Sequence, residues 1–270
     1  MICSASSGRR AQSTVGVLTL ASAATVVPHD PAPMTATRIS DERDMAAAYA
    51  PAEPAAVVAA APRGLRAPSL RVVDLAALIP VKSFRAAKAR LAGVLTDEER
   101  ARLARAMATR VVEAARPLPT FVACDHDEVA SFAEELGATV LWGPGLGLNG
   151  AVDHGVSTVA GKGFDHVVIA HGDLPLASDL GGLARPGEIV IVPDRRRDGT
   201  NVLARPCGLM LPAAYGPGSF RSHYRAAVAT GARVTVRIDR RLAIDIDTLA
   251  DCVHPLAAPV VTELLGRAPA

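Results

Sequence analysis

Leu75-Ala76-Ala77-Leu78-Ile79-Pro80-Val81 is an unbroken apolar run. No polar residue alternates within it, so it reads as a short strand buried on both faces rather than one half-exposed to water. Strands of that kind belong to parallel sheets covered by helices, provided the chain goes on alternating the two. It does. Thr96 and Glu99 form a capping box, and Leu103, Met107, Val111 and Val112 recur at helical spacing until Pro117 and Pro119 intervene. Residues 120–124 read as a second strand. Asp127 is the expected cap of a helix carrying Val129, Phe132, Ala133 and Leu136, closed by Gly137. Residues 138–142 form a third strand, followed by a glycine-rich loop over 143–150 and a helix to about 160. Fourth and fifth strands are expected at 167–170 and 188–192. Past Asn201 the pattern shortens: an apolar piece at 208–211, a helix over 219–230, then strands at 234–238 and 242–246 that pair antiparallel through the Asp239-Arg240-Arg241 turn. The fold class is α/β, a mainly parallel sheet with helices on both faces and a short antiparallel C-terminal portion.

Upstream of Asp74 the texture differs. Arg9-Arg10 precede the weakly apolar stretch 15–27, which has a signal-peptide outline but contains Ser and Thr and is too short to span a bilayer. Residues 28–68 are rich in Ala and Pro without a period. We read 1–70 as a disordered extension or the product of a mis-set start, with Met34 and Met45 as later starts. Residues 71–260 form one domain, and 261–270 a tail.

Composition narrows the function classes. Half of the 270 residues are apolar, but only one Trp, three Tyr and five Phe are present, so the core is aliphatic. Twenty-nine basic against 27 acidic side chains give a net charge of +2, which supplies no electrostatic argument for nucleic acid or an anionic membrane. Cys3, Cys124, Cys207 and Cys252 are scattered without a C-x-x-C pair, which suggests reduced thiols in a cytoplasmic protein rather than a zinc site or disulfide framework.

Ligands of open α/β sheets bind beyond the carboxyl ends of the strands, and four polar constellations fall there. Lys82, Lys88 and Arg90 leave the first strand and could wrap a triphosphate, although a solvated basic loop reads the same way. Asn149, in the loop 143–150, offers a donor and an acceptor to a base edge, or simply belongs to a turn. Asp173 in Gly172-Asp173-Leu174-Pro175 is a hard ligand suited to magnesium, or the cap of a following helix. Asp245 and Asp247 share one face of an extended segment, where like charges are costly unless a cation neutralises them; alternatively, Asp247 caps the next helix. Thr200 and the Gly216-Pro217-Gly218-Ser219 turn add hydroxyls and backbone N–H groups suited to an anion.

The ordered series Ile79-Pro80-Val81-Lys82, Ala87-Lys88-Ala89-Arg90-Leu91, Gly147-Leu148-Asn149, Gly172-Asp173-Leu174-Pro175, Asp194-Arg195, Asp198-Gly199-Thr200-Asn201, Tyr215-Gly216-Pro217-Gly218-Ser219-Phe220 and Asp245-Ile246-Asp247-Thr248 resembles one family. It is the phosphoenolpyruvate / 2-phospho-L-lactate guanylyltransferases of coenzyme F420 biosynthesis, over about residues 75–255. The resemblance implies a nucleotide-diphospho-sugar transferase-like (Rossmann-like) fold and transfer of GMP from GTP to a phosphorylated three-carbon acid. Members differ in using phosphoenolpyruvate, 2-phospho-L-lactate or 3-phospho-D-glycerate. It further implies two magnesium ions on Asp173, Asp245 and Asp247, the phospho-acid on Thr200, Gly216 and Ser219, and GTP near Lys82, Lys88, Arg90 and Asn149. A homodimer, and hand-over of the product to a downstream F420 transferase, stay open. Three rivals compete. A molybdopterin-type nucleotidyltransferase usually carries a glycine-rich first loop, where this chain has Ile79-Pro80-Val81-Lys82. A sugar-nucleotide glycosyltransferase could use Asp245 and Asp247 as its metal motif. A non-catalytic nucleotide-binding module would bind GTP without releasing pyrophosphate.

Overall fold

A computed structural model describes residues 73–267 and 269; the reading of 1–70 lies outside the described residues. Among the described residues the strands are β1 (Leu75–Pro80), β2 (Thr120–Cys124), β3 (Thr139–Trp142), β4 (His166–Ala170), β5 (Glu188–Pro193), β6 (Thr200–Pro206) and β7 (Arg233–Val236). They form one sheet in the order β3-β2-β1-β4-β6-β5-β7. The helices are α1 (Asp97–Ala114), α2 (Asp127–Glu135), α3 (Gly147–Gly161), α4 (Ser219–Ala229), α5 (Leu249–Cys252) and α6 (Ala258–Leu265).

The apolar run that opened the sequence argument is a central strand. Leu75, Ala77 and Ile79 face one layer, with Val111 and Val112 of α1 and Phe132 of α2. Ala76 and Leu78 face the other, with Val152, Val156 and Val159 of α3 and Phe220 of α4. Alternate side chains thus serve two separate cores, which is why no position in the strand could be polar. Gly155 lets α3 lie close on β1: a Cβ there would stand 2.7 Å from the Leu78 side chain. The Thr96–Glu99 capping box forms as expected at the start of α1.

Several boundaries differ from the sequence reading. β6 was missed: Thr200–Pro206 is a buried strand antiparallel to both β4 and β5, its apolar pattern interrupted by Asn201 and Arg205. The expected antiparallel pair at the C-terminus does not form. β7 pairs parallel with β5; Leu242 and Ala243 close a turn and 244–246 continues outside the sheet, and 208–211 begins in a turn after β6 and joins no strand. The cap of α2 is His126, with Asp127 its first residue, and the second half of the glycine-rich loop is already the first turn of α3. The boundary placed at 260 falls inside α6, whose Val261 and Leu265 are buried.

These last residues belong to a third, satellite core. It joins Leu91, Leu95, Leu103, Met107, Leu176, Ile244, Ile246, Cys252, Val261 and Leu265. Burying an aliphatic side chain of this kind contributes about 2 kcal/mol. The cluster therefore firmly anchors three loops that have no sheet hydrogen bonds of their own.

Candidate active site

Strand order reverses between β1 and β4, so their carboxyl ends lie side by side around a crevice. The chain leaving β1 is fixed early: the Ser83 hydroxyl (2.6 Å) and the Phe84 N–H (3.0 Å) both donate to Glu128 of α2. Lys88 then adopts left-handed backbone, φ 56°, at the start of a short 3-10 turn whose Leu91 enters the satellite core. The turn sends the Lys88 side chain inward, where it is 7% exposed. Its Nζ lies 2.6 Å from Asp173 Oδ2 and 2.9 Å from Asp247 Oδ1. Burial alone would lower the Lys88 pKa, but the two carboxylates outweigh it and raise the value.

Asp173 lies three residues past the end of β4 and caps no helix, because none starts at the residues that follow it. Burial pushes its pKa up; Lys88 overrides that and holds the carboxylate ionised. Asp245 and Asp247 come from the 242–247 segment, which leaves a turn at 240–243 and in which Leu242, Ile244 and Ile246 are buried and the residues between them half-buried. The segment is fastened by the Ile246 N–H to the Asp173 carbonyl (3.3 Å) and by Asn201 Nδ2 of β6 to the Leu242 carbonyl (2.9 Å). The expected alternation thus holds in burial, supplied by the satellite core around Ile244 and Ile246 and by the main core around Leu242 rather than by strand pairing. Asp247 does not cap the next helix; Thr248 does, in a capping box with Asp251.

One ammonium does not neutralise three carboxylates. The Asp245 pKa is pushed up to about 6, first by burial and then by Asp173 and Asp247. Asp173 Oδ1 is buried without a hydrogen-bond partner. Hard oxygen donors, an unsatisfied buried oxygen and surplus negative charge together suit a divalent cation. As the side chains stand, Lys88 bridges two of the carboxylates. Among the described residues no group of three or more His, Cys, Asp or Glu side chains is arranged to hold a metal ion. Arg90 is exposed, 3.9 Å from Asp247 Oδ2, and Lys82 is exposed just after β1.

A second cluster sits on the same rim, at the start of β6. The Thr200 N–H donates to Ser219 Oγ (3.0 Å), and the Ser219 N–H to the Gly216 carbonyl (3.0 Å). Gly218 takes φ 71° at the cap of α4, and its N–H lies 3.2 Å from both Asp198 carboxylate oxygens. Thr200, Gly216 and Ser219 therefore do come together, but Thr200 and Ser219 are buried and engaged internally. His223, one turn along α4, completes the cluster. Its Nε2 accepts the Ala214 N–H (2.9 Å), so Nδ1 carries the proton and donates it to Thr200 Oγ1, 3.0 Å away. Burial, then His171 and Arg205, lower the His223 pKa to about 4, so the ring is neutral at physiological pH.

Rings connect the two clusters: Tyr215 lies 4.9 Å from His171 and 4.7 Å from His223, centroid to centroid. Asn149 is occupied: its Nδ2 donates to the Tyr215 carbonyl (3.2 Å) and its Oδ1 accepts the Tyr215 N–H (2.7 Å). It ties α3 to this loop, a role its sequence context did not suggest. His223, Tyr215, Glu128 and Asp251 were missed as site-building residues. Two had signals: Asp251 is three residues after Thr248, and His223 is four after Ser219 on the same helix face.

Residues 75–256 match the family described as "Guanylyl transferase CofC like". Phosphoenolpyruvate guanylyltransferase of Rubrobacter xylanophilus is 39% identical over 185 residues, 65% of this chain and 90% of that protein. The enzyme of the same name from Sphaerobacter thermophilus is 35% identical, over 72% of this chain and 93% of that protein. The 2-phospho-L-lactate guanylyltransferase of Methanothermobacter thermautotrophicus is 33% identical, over 65% and 81%. Among solved structures, a protein of Desulfovibrio desulfuricans G20 described as a nucleotide-diphospho-sugar transferase superposes with a TM-score of 0.55 at 17% identity. The match covers 71% of this chain and 96% of that one and establishes a shared fold.

Proposed function

The chain belongs to the CofC-like guanylyl transferase family, and on that premise we propose that it transfers GMP from GTP to phosphoenolpyruvate or a close phospho-acid, releasing pyrophosphate, for coenzyme F420 biosynthesis. The observation that best supports this reading is the meeting of Asp173, from the end of β4, with Asp247 on a single buried ammonium. That arrangement suits a reaction in which one anion must approach another.

In the transfer, an acceptor phosphate oxygen bonds to the α-phosphorus of GTP. The bond from that phosphorus to the β-phosphate bridging oxygen breaks, and pyrophosphate leaves with the electron pair. A phosphate monoester has its second pKa near ~6 and is already a dianion at neutral pH, so the attack needs no general base. The neutral His223 fits that economy: its one proton goes to Thr200, and nothing positions it to accept another. Asp173, Asp245 and Asp247 would hold magnesium, which when bound neutralises phosphate charge. Lys82 and Arg90, exposed beside the crevice, attract the triphosphate by charge, while Lys88 holds Asp173 and Asp247 in place. Thr200, Gly216 and Ser219 give the acceptor a neutral, hydrogen-bonding cradle.

The test is pyrophosphate release from GTP and magnesium with phosphoenolpyruvate, 2-phospho-L-lactate and 3-phospho-D-glycerate offered separately. We expect release with at least one, phosphoenolpyruvate foremost. GTP binding without release in all three arms would instead indicate a non-catalytic module.

A further inference from the structure

Asp251 is 1% exposed and belongs to neither cluster, yet both of its carboxylate oxygens are fully engaged. Oδ2 accepts the Asp247 N–H (3.2 Å), the Thr248 N–H (2.8 Å) and the Thr248 hydroxyl (2.7 Å). Oδ1 accepts the guanidinium of Arg195 and, at 3.1 Å, that of Arg196. A helix cap needs only the Oδ2 set. The second oxygen faces two arginines of the 194–198 turn, whose Asp198 holds the Gly218 N–H in the cradle around Ser219. The turn is tied to the other segment once more, by the Arg195 N–H on the Ala243 carbonyl (2.8 Å). Burying a carboxylate is expensive even when two part-exposed arginines pair with it, and a cap on a four-residue helix does not require it.

We infer that Asp251 is a positioning residue: one carboxylate fixes the backbone of Asp247 on the carboxylate side and the arginines of the acceptor turn on the other, setting the distance between the two halves of the site. The inference rests on the guanylyl-transfer reading. It adds that the register between nucleotide and acceptor is held by a group that touches neither. Oδ2 acts through Asp247 on cation binding, and Oδ1 acts through Arg195 and Arg196 on the acceptor cradle. The two effects are therefore separable.

Manganese binding to the full chain without nucleotide, titrated by electron paramagnetic resonance, reads the first effect; steady-state pyrophosphate release reads the second. Asp251→Asn is expected to lose roughly 10–100-fold in both manganese affinity and kcat, the usual cost of removing a group that orients a metal ligand, and to raise the acceptor KM by about 10-fold as well. The Arg195→Ala/Arg196→Ala double variant is expected to raise the acceptor KM by about 10-fold while manganese affinity stays within about 2-fold. Thr248→Ser, which keeps the bonded hydroxyl, should match the wild type. If Asp251→Asn fails to fold, Thr248→Ala removes one of the three Oδ2 bonds and should still cost about 3-fold in manganese affinity. A folded Asp251→Asn with wild-type manganese affinity and kcat, changed only in melting temperature, would reduce Asp251 to a helix cap. A wild-type chain that binds manganese but releases no pyrophosphate with any acceptor sinks the guanylyl-transfer reading instead, and the manganese arm still reads Asp251.

Discussion

The carboxylate centre and the Thr200–Ser219 cluster share one rim of the sheet but are held by opposite means. The first concentrates charge: two carboxylates share one buried ammonium, Asp245 adds a third beside them, and Asp173 Oδ1 lacks a hydrogen-bond partner. Its residues come from three loops pinned from behind by the satellite core. The second is neutral and satisfied within itself, a threonine, a serine and a histidine whose tautomer is set by a backbone N–H. Charge left uncompensated in a folded protein costs stability and persists where a ligand supplies the missing counter-charge. A neutral, prebonded cluster costs little and supplies shape. On the guanylyl-transfer reading proposed above, cation and polyphosphate belong to the first region and orientation of the acceptor to the second.

The sharpest way to break that contrast is one substitution on each side. Asp247→Asn keeps the shape and removes a charge from a side chain 42% exposed, so folding should survive. Loss of a group stabilising charge in the transition state should lower kcat by roughly 10²–10³-fold, with little change in the acceptor KM. Thr200→Val should do the reverse, raising the acceptor KM by about 10-fold with kcat changed less. Initial rates of pyrophosphate release over a grid of GTP and acceptor concentrations separate the two. If both variants moved the same parameter equally, the two regions would be one functional unit.

The next effect is smaller and concerns stability. The neutral cluster depends on an uncharged His223, whose pKa drops from 6.5 to about 4 on burial beside His171 and Arg205. A depressed folded pKa means that the unfolded chain binds the extra proton between these values. Stability is therefore intact above pH 6.5 and falls as pH drops toward 4, by about 2 kcal/mol at pH 5 from this group. Urea unfolding at pH 7.5 and pH 5 should show the loss in the wild type, and His223→Gln should reduce it by about that amount. An undiminished acid loss in the variant would mean that the ring is not held neutral, and Thr200 would lose its assigned donor.

The same contrast governs what the sequence disclosed. The central strand, the long helix with its cap and the three aspartates were legible because each is a local signal: an apolar run, a capping box, an alternation. β6 was not, because Asn201 and Arg205 interrupt its apolar pattern. Both are buried polar groups satisfied by backbone carbonyls, Asn201 by the distant Leu242 and Arg205 by Leu209 and Leu211 in the turn that follows the strand. Side-chain to backbone hydrogen bonds override hydropathy there. The 242–246 segment misled in the other direction. Its alternation is that of a strand, but the buried side is provided by loops and helix ends rather than by a neighbouring strand. Asn149 shows the limit of motif reading: its amide stood out as a ligand group, and only the fold reveals the Tyr215 backbone that fills it.

The smallest predicted effect isolates the scaffold from both regions. Thr96 accepts the Glu99 N–H through its hydroxyl, while the Glu99 carboxylate takes the Thr96 N–H (2.9 Å), at the end of α1 that neither cluster touches. Thr96→Ala removes the side-chain acceptor and leaves one N–H of the first turn to water, a loss of about 1 kcal/mol. For a domain of this size that corresponds to about 2–4 °C in melting temperature. Pyrophosphate release at 25 °C should be unchanged, because the face of α1 that supports the site, through Leu103 and Met107 in the satellite core, lies beyond the capped turn. A fall in kcat without a matching loss of stability would show that the charged centre feels the whole helix. It would then no longer be anchored by the satellite core alone.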